Sequence, residues 1–143
     1  MSVRSKFTFF HPLRVRWAEC DAQGIVFNAN YFLYFDVGMT EYLRTLGYQG
    51  DKTLEFFTVH SEADYRASAK FDDELEIGIR CARLGRTSMT LAAAIFRAGE
   101  LLTEGSLTYV HAELNTQDKS PLPASFVGRI LAFEETPPER KTS

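Results

Sequence analysis

The stretch ECDAQGIVFNANY, residues 19–31, sets Asp21 between two runs of different periodicity. Before it, Leu13, Val15 and Trp17 alternate with Arg14 and Arg16, a period of two that predicts a half-buried strand over residues 7–17. After it, Tyr31, Tyr34, Phe35, Gly38, Tyr42 and Leu46 recur at steps of three and four, with Leu43 beside them. That spacing predicts an amphipathic helix over residues 29–46, with Asn28 as N-cap and Gly47 as the C′ stop. Between the two runs, Asp21 stands first and Gly24 fourth in DAQG, the signature of a type I turn. The stretch is therefore a strand–turn–helix junction. Gly38 falls on the apolar helix face, where a glycine costs about 1 kcal/mol against alanine. Its presence predicts close packing against a sheet.

Outward from the junction, the chain is mostly strand. Residues 56–68 form a long strand-like run that FDDE, residues 71–74, breaks. Leu75, Ile77, Ile79 and Cys81 then alternate with Glu74, Glu76, Gly78 and Arg80. Gly85-Arg86 marks a turn before a strand over residues 88–97, and RAGE, residues 97–100, marks a hairpin before one over residues 101–114. Residues 121–133 predict a closing helix with Pro121 at its start, and residues 136–143 a frayed polar tail. One long helix among strands with short connections must bury its aromatic face against the sheet. The expected class is α+β: a curved antiparallel sheet wrapped around one central helix, in a single domain over residues 1–143.

Bulk properties narrow the function. The chain has 143 residues, 45% hydrophobic and 24% charged, enough for one real core. A net charge of -3 argues against a nucleic-acid binder. No run predicts a membrane span, and MSVRSKFTFFHP lacks the apolar segment of a signal peptide. Cys20 and Cys81 form no CxxC pair, so a reduced, cytoplasmic setting is the simplest expectation.

With the junction and element order in view, the chain resembles hotdog-fold proteins. More narrowly, it resembles the 4-hydroxybenzoyl-CoA thioesterase-like acyl-CoA thioester hydrolases. The resemblance rests on VRWAECDAQGIVFNANYFLYFDVGMTEYL and, later, YRASAKFDDELEI. The first carries an acid, two residues, a glycine, an apolar pair and an Asn-Tyr that opens the helix. Here these are Asp21, Gly24, Ile25, Val26, Asn30 and Tyr31. The resemblance implies that Asp21 is the catalytic carboxylate, as nucleophile or as general base. It also implies a homodimer or tetramer with the active site between protomers, an acyl-CoA substrate and no cofactor. Where many members carry His or Tyr, this chain has Asn28; in the family that position supplies a backbone N–H, so the side chain is free to vary.

The chemistry agrees with that assignment. Attack on a thioester carbonyl needs a nucleophile or base, and donors aimed at the oxygen where charge develops. A helix start offers free N–H groups and the positive end of the dipole, which makes the N–H near Asn28 the candidate donor. Gly24 closes the turn or lets a substrate carbonyl approach the backbone. Val26, Asn30 and Tyr31 are candidates for the substrate site, with packing and helix-start roles as the plainer alternative. Glu19 reads as a solvated strand end.

Other constellations rank lower. His60-x-Glu62 and His111-x-Glu113 each put two potential ligands on one strand face, but match no metal-ligand spacing. Cys20 points away from Asp21 in an extended segment, and no GxSxG elbow is present. Arg66, Lys70, Arg83 and Arg86 read as a solvated face, with the phosphates of coenzyme A as the functional alternative. Two further functions stand beside hydrolysis: a non-catalytic acyl-CoA or acyl-carrier binding protein, and a dehydratase, which would need a histidine that the motif lacks.

Overall fold

The computed structural model describes residues 2–48, 54–113 and 115–141. In chain order the elements are β1 Phe9–Arg14, α1 Asn30–Thr45, β2 Phe56–Tyr65, β3 Glu74–Leu84, β4 Ser88–Arg97, β5 Glu100–His111, α2 Ala124–Phe133 and β6 Glu139–Arg140. Short 3-10 turns sit at Arg4–Lys6 and Trp17–Glu19. The sheet runs β1-β3-β4-β5-β2 with antiparallel neighbours, and β6 adds to β3 in parallel. This is the α+β architecture expected: a curved sheet around one long helix.

Local chemistry explains the elements. Ala98 (φ 49) and Gly99 (φ 84) are both left-handed, as a two-residue hairpin loop between β4 and β5 requires. α1 stops where Gly47 takes φ 100. Its N–H donates to Arg44 O at 3.0 Å and that of Tyr48 to Leu43 O at 2.9 Å, a Schellman closure.

The helix face Tyr31, Tyr34, Phe35, Gly38 and Tyr42 is buried on the inner face of the sheet, among Leu75, Ile77, Ile79, Leu91 and Leu107. Gly38 makes the close approach its position predicted. A Cβ there would stand 2.7 Å from Ile77 Cγ2 and 3.0 Å from Ile79 Cγ1. On the outer face, Phe7, Ala94 and Phe96 form a smaller cluster under the N-terminal segment.

Several expectations need correction. β1 ends at Arg14, not at residue 17: the Val15 N–H leaves for Asp73 O, and the chain turns into the 3-10 segment. Trp17 is accordingly 62% exposed, edge-on to Phe71. The N-cap position of α1 is Ala29, and no side chain caps it, so Asn28 is not the capping residue. Pro123, not Pro121, immediately precedes α2. Within the tail expected to fray, Glu139 and Arg140 pair with Arg83 and Leu84 beyond the end of β1. The strand end expected at Leu114 lies outside the described residues, as do the last two residues of the tail; β5 itself closes at His111.

Candidate active site

The junction folds as a tight reversal. The Asp21 N–H donates to Ile25 O at 2.9 Å and the Gly24 N–H to Asp21 O at 3.0 Å, while Cys20 bridges Val26. Asp21 Oδ1 accepts the Gln23 N–H at 2.8 Å, so the acid also shapes its own turn. Gly24 adopts φ +78, and a Cβ there would meet nothing within 4 Å. The backbone angle, not crowding, asks for glycine.

Glu19 ties this reversal to the helix start. Its carbonyl accepts the Phe27 N–H at 3.0 Å and Asn30 Nδ2 at 2.8 Å. Its carboxylate, 5% exposed as a residue, accepts the Arg16 N–H at 2.9 Å, Arg16 Nε at 2.8 Å and the Tyr34 hydroxyl at 2.9 Å. Burial pushes this carboxyl up, but the bonds from Arg16 and Tyr34 outweigh it and hold it below the usual range. Glu19 is therefore a buried hub rather than a solvated strand end.

Asp21 and Asn28 come to line one cavity of about 430 Å³ with Val26, Phe27, Tyr31 and Tyr65. At its edge the helix begins with short-range bonds: the N–H groups of Asn30, Tyr31 and Phe32 donate to Phe27, Asn28 and Ala29 carbonyls at 2.9, 3.3 and 3.2 Å. The N–H groups of Asn28 and Ala29 have no acceptor among the described residues. These are the free donors expected at a helix start. Buried Tyr31 accepts the Ala69 N–H at 3.0 Å on its hydroxyl, and burial pushes that phenol up.

Of the residues singled out in the sequence, the cavity brings together Asp21, Ile25, Val26, Asn28, Tyr31 and Arg66. Gly24 and Asn30 lie outside its lining; the Asn30 side chain is engaged with Glu19. The sequence reading missed Tyr65 as a wall residue, and Glu19 as the group that holds the two arms. The spacing of Arg16 and Glu19, three apart, was a signal for the second.

Arg66 and Arg83 do not share one site. Arg66 lines the cavity and pairs with Glu104, whereas Arg83 lies on a separate hollow with Lys6 and Arg80. His60 sits 3.7 Å from Glu62 on the surface, and His111 is buried with Nδ1 3.3 Å from Ser120 O. Among the described residues, no three His, Cys, Asp or Glu side chains are placed to share a metal ion. A larger hollow of about 890 Å³ near β1 and β3 contains Arg14, Asp72, Asp73, Glu74, Glu76 and Arg97. Those charges are paired with one another or with Arg4, as in Arg97–Asp73 at 2.7 Å, and offer less to a substrate than the Asp21 cavity.

Comparison with known proteins agrees with this fold. The thioesterase superfamily model matches residues 23–104, more than half of the chain. The chain belongs to the thioesterase superfamily. By class it is a thioester hydrolase. It is 30% identical over 111 residues to the acyl-CoA thioesterase YbgC of Haemophilus influenzae, covering 74% of this chain and 82% of that one. The structure matches the PA5185 protein of Pseudomonas aeruginosa with TM-score 0.83 and 27% identity, over 92% of this chain and 94% of that one. It matches a Thermus thermophilus thioesterase, solved with coenzyme A and Zn, with TM-score 0.80 and 26% identity, over 92% and 98%. Among the described residues, no helix is long and apolar enough to cross a membrane.

Proposed function

We propose that this thioesterase superfamily member hydrolyses an acyl-CoA thioester to a free carboxylic acid and coenzyme A. Asp21 is the nucleophile or general base, and the Asn28 N–H polarises the thioester carbonyl. The observation that carries the reading is that Asp21 and the unbonded helix-start N–H belong to residues lining one cavity. As the carbonyl is attacked, charge develops on its oxygen, and a preorganised N–H at the positive end of a helix stabilises it. As nucleophile, the Asp21 carboxylate bonds to the carbonyl carbon, coenzyme A leaves as thiolate, and water cleaves the resulting anhydride. As base, it takes a proton from the water that attacks the carbonyl carbon, the carbon–sulfur bond breaks, and the proton passes to the departing coenzyme A thiolate. Neither route draws on a cofactor. Val26 and Tyr31 form the substrate wall, with Gly24 and Asn30 at its approach. The names and the coenzyme A of the related proteins support the thioester class. Two free thiols, Cys20 and Cys81, suit a cytoplasmic setting.

Self-association as a homodimer, or paired again as a tetramer, belongs to the same proposal. β2 is an edge strand with Phe57, Val59 and Tyr65 exposed, and Phe27 beside the cavity is exposed too. A second copy laid along this edge would cover apolar surface and close the open side of the cavity.

The test is to assay the purified protein and Asp21→Asn on acetyl-, butyryl-, palmitoyl- and benzoyl-CoA, with sedimentation for the oligomer. Asp21→Asn is expected to lose about a hundredfold or more in kcat with an unchanged unfolding midpoint. Wild-type rates in the variant would remove Asp21 from the chemistry. Stabilisation by coenzyme A without turnover of any thioester would make the protein a binder.

A further inference from the structure

Tyr65 closes β2, far in sequence from the Asp21 junction, yet it lines the same cavity. Its hydroxyl donates to the Asn28 carbonyl at 3.2 Å, and its ring rests against that of Tyr31 with centroids 5.2 Å apart. Among the described residues, the other donor to that carbonyl is the Tyr31 N–H, at 3.3 Å. The first turn of α1 is thus held loosely from within, without a side-chain cap; from outside, Asn30 ties it to the Glu19 carbonyl and Tyr31 to Ala69, while the Tyr65 phenol holds the Asn28 carbonyl.

We infer that Tyr65 is a positioning residue: by holding the Asn28 carbonyl from β2, its hydroxyl fixes the Asn28–Ala29 peptide plane and so steadies the helix start that carries the Asn28 and Ala29 N–H groups. The inference rests on the proposed role of the Asn28 N–H. The Asn28 carbonyl and the Ala29 N–H, the second unbonded donor of the helix start, lie in one rigid peptide plane, whereas the Asn28 N–H is two torsions away; the phenol therefore holds the Ala29 N–H directly and the Asn28 N–H through the backbone of that turn. A donor preorganised towards a developing oxyanion acts without reorganising during the reaction. Small displacements at such a point are costly because rate depends steeply on alignment. The ring and the hydroxyl have separable tasks: the ring packs on Tyr31, and the hydroxyl acts on the helix start.

Tyr65→Phe removes one oxygen from a half-exposed side chain and keeps the ring. On whichever of the four acyl-CoAs is turned over fastest, kcat is expected to fall about three- to tenfold, the worth of one net hydrogen bond. KM and the thermal midpoint should stay near wild type. Amide exchange at Asn30, Tyr31 and Phe32 should quicken, which reads the helix start independently of catalysis. An unchanged kcat with unchanged exchange overturns the inference. So does a raised KM at constant kcat, which would make Tyr65 a substrate contact. Asp21→Asn run alongside separates the two failures. Full activity there defeats the thioesterase mechanism itself; loss there, with Tyr65→Phe like wild type, defeats only the role of Tyr65.

Discussion

Asn30 and Glu19 are joined by a 2.8 Å hydrogen bond from Asn30 Nδ2 to the Glu19 carbonyl. It is a strut across the mouth of the junction. Asp21 lies two residues beyond one end, and Asn28 two residues before the other. The second bond to the same carbonyl, from the Phe27 N–H, makes the span rigid.

Removing the strut should therefore hurt turnover more than stability. Asn30→Ala is expected to lower the unfolding free energy by about 1 kcal/mol, the usual net worth of a part-buried hydrogen bond. Its kcat should fall by more than the tenfold that 1.4 kcal/mol would represent, with KM changed less, because alignment of acid and donor is lost together. Urea unfolding and steady-state kinetics on one acyl-CoA measure both. A kcat at the wild-type level would mean that the Phe27 bond holds the span alone.

The helix seat makes a second prediction. At Gly38 an added Cβ meets the side chains of Ile77 and Ile79, whereas at Gly105 it would stand 2.8 Å from Phe35 Cζ and 2.9 Å from the backbone oxygen of Glu62. Overpacking costs about 1–3 kcal/mol, while alanine in a helix regains about 1 kcal/mol over glycine. Gly38→Ala should then lose about 1 kcal/mol and Gly105→Ala about 3 kcal/mol, since a strand backbone cannot step aside as a side chain can. Chemical denaturation of the two variants gives the order. A stabilised Gly38→Ala would show that the helix sits farther from β3.

What the sequence made legible follows the range of each signal. The helix face, the Asp21 turn and the hairpin at Gly99 are written in residues a few positions apart, and they stand where their spacing put them. Tyr65 was not legible, because only the pairing of β2 with β5, Tyr65 opposite Thr103, delivers its hydroxyl to Asn28. Trp17 misled because its alternation with Leu13 and Val15 continues, while hydrogen bonds to Asp73 and Glu19 turn the backbone away. Glu139 and Arg140 carry no strand pattern of their own; β3 offers Arg83 and Leu84 beyond the reach of β1, and the tail fills that edge.

The last prediction concerns pH and a buried acid outside the cavity. Glu134, 6% exposed, follows α2 and accepts the Tyr42 hydroxyl and the Cys81 N–H on Oε2. Its Oε1 has no partner among the described residues. Burial pushes this carboxyl up from the ordinary 4.5, against the pull of Tyr42, the Cys81 N–H and the charge of Arg80. A raised native value means that the native state holds the proton more tightly than the unfolded chain. The stability it contributes is full below 4.5 and is lost as pH rises through the native value. Glu134→Gln keeps an acceptor for Tyr42 and Cys81 and removes the charge. Its thermal midpoint should exceed that of wild type by a few degrees at neutral pH, with the gap closing towards acid. Cys81 stays neutral throughout, its thiol pushed up to about 12 by burial and by Glu134 itself, and burial raises the Tyr42 phenol as well. Glu19 and Asp73, both held low, lose stability on the acid side, but they do so equally in the two proteins and cancel in the difference. Thermal scans from pH 4 to 8 read it directly; a gap that is constant, or that opens towards acid, would place the proton elsewhere.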